Sequence, residues 1–328
     1  MRYLKLLFIF LFASAFFLAP SAQTTAKEET SWAERLGWSK GSRLVIIHVD
    51  DAGMSHDSNV GTIEAIEKGI AGSTSIMMPC PWVPEMVSYL KEHPGIDAGL
   101  HITLNSEWKR YRWAPLAGKS AVPGLVDEEG CLWKDTMQVV RSASADEVER
   151  EIRAQLDRAK TMGFQPTHLD SHMGTVFLPP FFERYIKIGL ETGIPLMLPA
   201  GHMQHVGARL GGSRELVLEA ARRVWESGLP LLDDIIADPT TGKDYDEMKA
   251  TLMARLRGMK PGISYVIVHC TRPSETFAYI SDSGEKRFAE LRMMMDPELK
   301  VFLKDQGIGT TTWMELMKRR RQVGQVAF

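Results

Sequence analysis

Four places in the chain set ionisable side chains at the end of an apolar run: Asp50-Asp51, His101, His168-x-Asp170-x-His172 and His269. Adjacent Asp50 and Asp51 repel each other, and a cation or a shared proton is the usual reason to tolerate such a pair. In an extended segment His168, Asp170 and His172 share one face. One carboxylate and two imidazoles with open coordination positions suit Zn²⁺ or a similar divalent ion engaged in hydrolysis. Such an ion polarises a carbonyl and acidifies a water, whose proton a second carboxylate, free of the metal, then takes. Adjacent Asp50 and Asp51 offer that division of labour. Each piece also has a plainer reading. Asp50-Asp51-Ala52-Gly53 suits a turn, a lone His101 a structural hydrogen bond, His168 to His172 a local polar cluster, and His269 a strand end without a role.

The elements that must bring these residues together follow from periodicity. Leu44 to Val49, apolar except for His48, predicts a buried strand of the parallel-sheet kind. The C-terminal edge of such strands is where α/β folds and barrels place chemistry. Further strands are expected at 72–78, 96–104, a segment ending at 167–172, 195–199, 231–236 and 263–269, with a weak one near 308–311. Helices are expected from Asp57 or Ser58, as cap, to about Lys68, and at 84–93, 145–162, 181–191, 213–227 and 245–259. Another starts near Gly284, and a basic helical tail ends the chain. This alternation predicts a single distorted (β/α) barrel over 43–328, TIM-barrel-like with seven or eight repeats. An open doubly wound parallel sheet is the alternative. A polar insertion at about 105–144 interrupts it.

Residues 1–22 have a basic start, an apolar run from Leu6 to Leu18 and small residues after it, the pattern of a secretory signal peptide. Residues 23–42 read as a polar leader. The expected location is therefore exported, periplasmic or extracellular, with no membrane anchor once the signal is cleaved. The net charge of −2 comes with intermixed signs and no extended basic tract, so nucleic acid is not an expected partner. Three cysteines, Cys80, Cys131 and Cys270, allow one disulfide of undetermined pairing and exclude a disulfide scaffold. A homodimer is the candidate assembly.

Other residues support the site or the fold. Asp170 is expected to orient His168 or His172, and Asn59 to brace the first loop by hydrogen bonds. Trp108, Trp113 and Trp133 either offer their ring faces to the C–H surface of a bound ligand or pin the insertion to the barrel. Asp233 and Asp234 end a strand and either line the pocket or cap a helix. Lys318 to Arg321 reads as a solvated helix end.

The joined motifs resemble the YdjC-like carbohydrate deacetylases. The resemblance runs through Asp50-Asp51-Ala52-Gly53-Met54-Ser55, Asn59, Gly72 to Met77, Gly99 to Leu104 and Thr167 to His172, and covers roughly 43–315. It implies a distorted β/α barrel that uses one divalent metal ion, Zn or Mg, to remove acetyl groups from N-acetylated saccharides, including chitin-derived oligosaccharides. Carried onto this chain, Asp51, His101 and His172 would be the metal ligands and Asp50 the general base. His269 would protonate the leaving amine or steady the oxyanion. Apart from the resemblance, the residues themselves mark His168, Asp170, Asn59, Trp108 and Trp113 as supports of the ligands or the substrate. Ala52 stands where the family usually has Phe, Met173-Gly174 follow where it has further His residues, and His269-Cys270-Thr271 replaces its His-Pro-Gly. Competing readings are an esterase or amidase on a non-sugar acyl substrate, and a non-catalytic sugar-binding barrel.

Overall fold

Ten residues, Arg43–Ala52, form β1, the central strand. Leu44 and Ile46 point into the interior with Tyr265 and Trp313. Val45, Ile47 and Val49 point outward with Met248, Leu252, Leu299 and Phe302, which lie on two of the covering helices. This alternation lets every side chain of the run be buried, the condition of a parallel strand covered on both sides. The structure, a computed structural model, describes residues 30–207 and 213–325. The signal peptide read over 1–22 and the leader up to residue 29 lie outside them.

The remaining strands are β2 (Ser73–Ile76), β3 (Asp97–Ile102), β4 (Leu169–Ser171), β5 (Asp234–Ile236), β6 (Gly262–Val268) and β7 (Ile308–Thr310). They pair in parallel in the order β4-β3-β2-β1-β6-β5. Strand β7 joins the first residues of β1, below the point where β2 takes over the same edge. Single parallel bridges, Leu169 to Leu196 and Pro199 to Leu232, carry pairing from β4 across to the approach of β5. The result is a distorted barrel of parallel strands rather than an open sheet. The strand expected at 195–199 is reduced to these bridges because Pro195 and Pro199 bring no N–H to a ladder.

The helices are α1 (Trp32–Arg35), α2 (His56–Glu67), α3 (Val83–Glu92), α4 (Thr136–Ser142), α5 (Ala145–Thr161), α6 (Pro179–Thr192), α7 (Arg214–Glu226), α8 (Tyr245–Arg257), α9 (Glu275–Ile280), α10 (Gly284–Met294), α11 (Pro297–Asp305) and α12 (Trp313–Gln325). Helix α2 is capped by Ser55, whose Oγ accepts from Ser58 N–H, so the cap precedes both expected residues. Among the described residues no helix is long and apolar enough to cross a membrane.

The insertion is irregular apart from a 3₁₀ turn and α4, and polar residues of α5 hold it. Glu151 accepts from Leu116 and Ala117 N–H, Glu147 from Gly124 N–H, and Gln155 pairs with both backbone groups of Thr103. The carboxylates and amide on one side of α5 thus satisfy loop backbone that the barrel buries. Asp233 accepts from Trp32 N–H and Ile263 N–H, so it caps α1 and does not line a pocket. Asp234 is likewise engaged, with the His205 side chain and the backbone at 205 and 206. The basic stretch of α12 is not simply solvated. Arg319 lies over the Trp38 ring at 3.8 Å and Arg320 over Trp225 at 4.0 Å, fastening the leader and α7 to the end of the chain. All three cysteines are free.

Candidate metal centre and active site

Strand β1 ends in a register shift between Val49 and Ala52, where Asp51 takes φ of 67°. Asp tolerates this left-handed geometry better than most residues. The irregularity cancels the strict alternation of a strand, and both Asp50 and Asp51 face Nε2 of His101, at 3.7 and 3.4 Å. Asn59 braces the turn: its Oδ1 accepts from Gly53 N–H at 2.6 Å, while its Nδ2 donates to Trp82 O and Glu85.

His101 from β3 and His172 just past β4 meet Asp51 there. His101 Nε2 lies 3.4 Å and His172 Nδ1 3.2 Å from Asp51 Oδ1. The ligand atoms of the three residues fall within 4.8 Å of one another, and all three are buried. Both oxygens of Asp51 lack a hydrogen bond, although the Arg287 guanidinium of α10 pairs with Oδ2 at 2.7 Å. A buried carboxylate with unused lone pairs beside two imidazoles is a donor set that fits a divalent cation such as zinc.

Two other groups also bring donors together, Asp50 with His101 and Asp170, and His48 with His168 and Asp170. There Asp170 is already satisfied: it accepts from His101 Nδ1 at 2.8 Å and Tyr265 Oη at 3.1 Å, with His48 Nε2 at 3.1 Å. A third, Asp127 with Glu129 and Cys131, lies in the insertion and is neutralised by Arg112. Asp170 therefore orients His101 first, with His168 Nε2 more distant at 3.8 Å from its Oδ2.

The electrostatics follow from these contacts. Burial opposes ionisation of Asp51, yet the Arg287 cation and the His101 and His172 imidazoles hold its carboxyl well below the usual range. Burial would neutralise His101, but Asp50 and Asp170 raise it well above an ordinary imidazole. His172 is raised to about 9 against the same desolvation, by Glu107 and Asp51. Glu107, from the insertion, lies 3.0 Å from His172 Nε2 and leaves Nδ1 turned to Asp51.

His269, just past β6, is partly exposed at the mouth. Its Nε2 is 3.8 Å from Asp50 Oδ2, and its backbone N–H donates to buried Glu290 at 2.7 Å. Glu290 also accepts from Thr240 Oγ1 and stays below the ordinary carboxylate range, against its burial, through His269 and Thr240.

The supporting residues sort differently from expectation. His168 is fully buried beneath the site, stacked on Trp313 and against Gly99, with Nε2 3.8 Å from Asp170 Oδ2. Trp113 is 4% exposed and donates from Nε1 to Asn105 O, so it pins the insertion. Trp133 does the same through Gly124 O. Trp108 packs edge-on against Trp113 and under the Arg287 guanidinium, beside the metal-competent triad. Glu107, Arg287, Glu290 and Tyr265 went unread in the sequence. Tyr265 carried a faint signal, sharing a strand face with Ile263 and Ile267 in an interior that already needed polar partners. Glu107, Arg287 and Glu290 sit among ordinary charged residues with no distinguishing spacing.

Comparison with known proteins agrees with this architecture. The family model described as YdjC-like protein matches residues 44–305. A Thermus thermophilus protein named carbohydrate deacetylase is 30% identical over 83% of this chain and 93% of its own length. A Serratia marcescens protein named chitooligosaccharide deacetylase is 28% identical over 84% and 99%. In fold, the chain is similar to an Enterococcus faecalis crystal structure described as a candidate cellobiose-phosphate cleavage protein. That match has a TM-score of 0.71 at 20% identity over 84% of this chain and 99% of that one. The chain belongs to the YdjC-like protein family.

Proposed function

We propose that this chain is an exported, metal-dependent hydrolase that removes acetyl groups from N-acetylated sugars. The observation that carries the reading is the meeting of Asp51, His101 and His172 around buried oxygens without hydrogen bonds, with Asp50 and His269 on the adjoining side. The names of the relatives supply the acyl-sugar substrate class, and the signal-like residues 1–22 support export.

Asp51, His101 and His172 would hold a divalent cation, zinc or magnesium, whose Lewis acidity acts on the acetyl carbonyl and the attacking water. Asp170 and Glu107 fix the His101 and His172 rings from behind, each by a carboxylate on the nitrogen turned away from Asp51. Asp50 Oδ2, which faces His101 and His269, takes the proton from water as its oxygen attacks the carbonyl carbon. His269, seated on Glu290, gives a proton to the amine nitrogen as the C–N bond breaks. Water and amide are thereby converted to acetate and a free amino sugar.

Acetate release from N-acetylated mono- and oligosaccharides, with added Zn²⁺ and after chelation, tests the proposal. Release that disappears on chelation and returns with metal is expected. Absence of release from every sugar by protein carrying stoichiometric metal would overturn it, and release from acetyl esters alone would move the assignment to an esterase.

A further inference from the structure

Beneath the candidate metal centre the barrel interior holds a second polar layer that this chemistry leaves unused. His48 is its middle. It is the one break in the apolar run of β1, is wholly buried, and has both ring nitrogens engaged. Nδ1 lies 2.9 Å from Ser73 Oγ. Nε2 lies 3.0 Å from Ser75 Oγ, 3.1 Å from Asp170 Oδ2 and 3.2 Å from Asp50 Oδ1. The ring is set in place by Tyr265, with centroids 4.7 Å apart, and by the edge of His168 at 5.1 Å.

Asp50 Oδ1 is buried and makes no hydrogen bond, so the imidazole beside it is what compensates that oxygen. The other oxygen, Oδ2, points the opposite way, 3.7 Å from His101 Nε2 and 3.8 Å from His269 Nε2. Asp170, which meets the same ring nitrogen of His48 as Asp50 does, is anchored by His101 and Tyr265 and cannot turn without breaking both contacts. His48 therefore joins the Asp50 carboxylate to the residue that aims a candidate metal ligand.

We propose that His48 is a positioning residue, a strut that holds Asp50 with Oδ1 turned into the barrel and Oδ2 turned to the reacting water. The proposal rests on Asp50 being the general base. A carboxylate that swings on a surface wastes orientation, and one held from behind keeps it. An apolar residue at position 48 would remove the strut and leave two buried carboxylates without it. A glutamine keeps an N–H near the place of Nε2.

The test compares metal-loaded wild type with His48→Leu, His48→Gln, Ser73→Ala and Asp50→Asn, using acetate release from diacetylchitobiose. Zinc affinity is measured by chelator competition, and crystal structures report the Asp50 rotamer. Expected are a fall in kcat of about 100-fold for His48→Leu with KM and zinc affinity within about twofold of wild type, and recovery to within about tenfold in His48→Gln. Asp50 should leave its wild-type rotamer in the Leu variant and keep it in the Gln variant. In an Asp50→Asn background His48→Leu should cost little more, because the two act as one unit. Should His48→Leu not fold, Ser73→Ala, which removes only the anchor of Nδ1, is expected to lower kcat about fivefold with the same pattern. Equal losses in the Leu and Gln variants, a matching loss in the Asp50→Asn background, or lost zinc affinity would overturn the proposal in favour of a structural role. If Asp50→Asn retains wild-type kcat, the base assignment fails. If it is inactive while folded, zinc-bound His48→Leu is fully active, the strut alone fails.

Discussion

Asp170 Oδ1 lies 2.8 Å from Nδ1 of His101, which turns the opposite ring nitrogen, Nε2, to within 3.4 Å of Asp51. The tautomer and the aim of one candidate ligand are thus set by a carboxylate from a neighbouring strand, paired with β3 in register at those two residues. Glu107 treats His172 the same way with the two nitrogens exchanged.

Removing the Glu107 carboxylate behind His172 should weaken metal binding, and removing that of Asp51 should abolish it, in neither case unfolding the barrel. Glu107→Gln is expected to weaken zinc binding by about 10- to 100-fold, and Asp51→Asn to remove stoichiometric binding altogether. Elemental analysis after dialysis and chelator competition give the numbers, with circular dichroism as the control for folding. Unchanged affinity in Glu107→Gln would show that the insertion does not hold His172.

His269 and Glu290 should behave as a pair. Each single change, His269→Gln or Glu290→Gln, is expected to lower kcat by about 10²-fold, with metal content unaffected. The double variant should be little worse than His269→Gln, since Glu290 acts through His269. Additive losses would separate the two roles.

Gly99 should accept no larger residue. A Cβ there would fall 2.5 Å from the His168 ring, which is boxed against Trp313. Gly99→Ala is therefore expected to cost about 1–3 kcal/mol through forced repacking. Urea unfolding reads the loss, and a variant as stable as wild type would mean that the interior layer yields more easily than its packing implies.

Acid stability should carry a signature of Glu149. This α5 carboxylate meets Lys187 at 2.7 Å, Arg153 at 2.7 Å and Arg184 at 3.0 Å. Lys187 first, then Arg153, hold it down at about 2 against the cost of its burial. A carboxyl depressed in the folded state stabilises it above the unfolded value of about 4.3, and the contribution is lost as pH falls through the folded value. Glu149→Gln is expected to lower stability by about 1 kcal/mol at pH 7, after solvent screening. The difference from wild type should shrink between about pH 4 and pH 2. Thermal melts across that range test it, and a difference that persists at pH 2 would assign the effect to packing.

What the sequence determined by itself is the polarity of the chemistry. Each run that ends in Asp50-Asp51, His101, His172 or His269 is a strand entering from the same end, and parallel strands deliver their C-terminal residues to one face. Local spacing is therefore enough to gather that set. Tertiary structure alone decided the partners. Arg287 reaches Asp51 from a helix near the other end of the chain, and Glu107 reaches His172 from an irregular insertion. Asp170 makes its short contact with His101 across a strand pair, at 2.8 Å, and only a longer one of 3.8 Å with His168 beside it in sequence, because extended neighbours two residues away share a face but do not point at one another. His168 shows the same limit: its spacing matches that of a ligand, and only the closure of the barrel puts it a layer too deep, against Trp313. Position along a strand is a local property, whereas depth and partnership depend on how strands and helices distant in sequence pack around the interior.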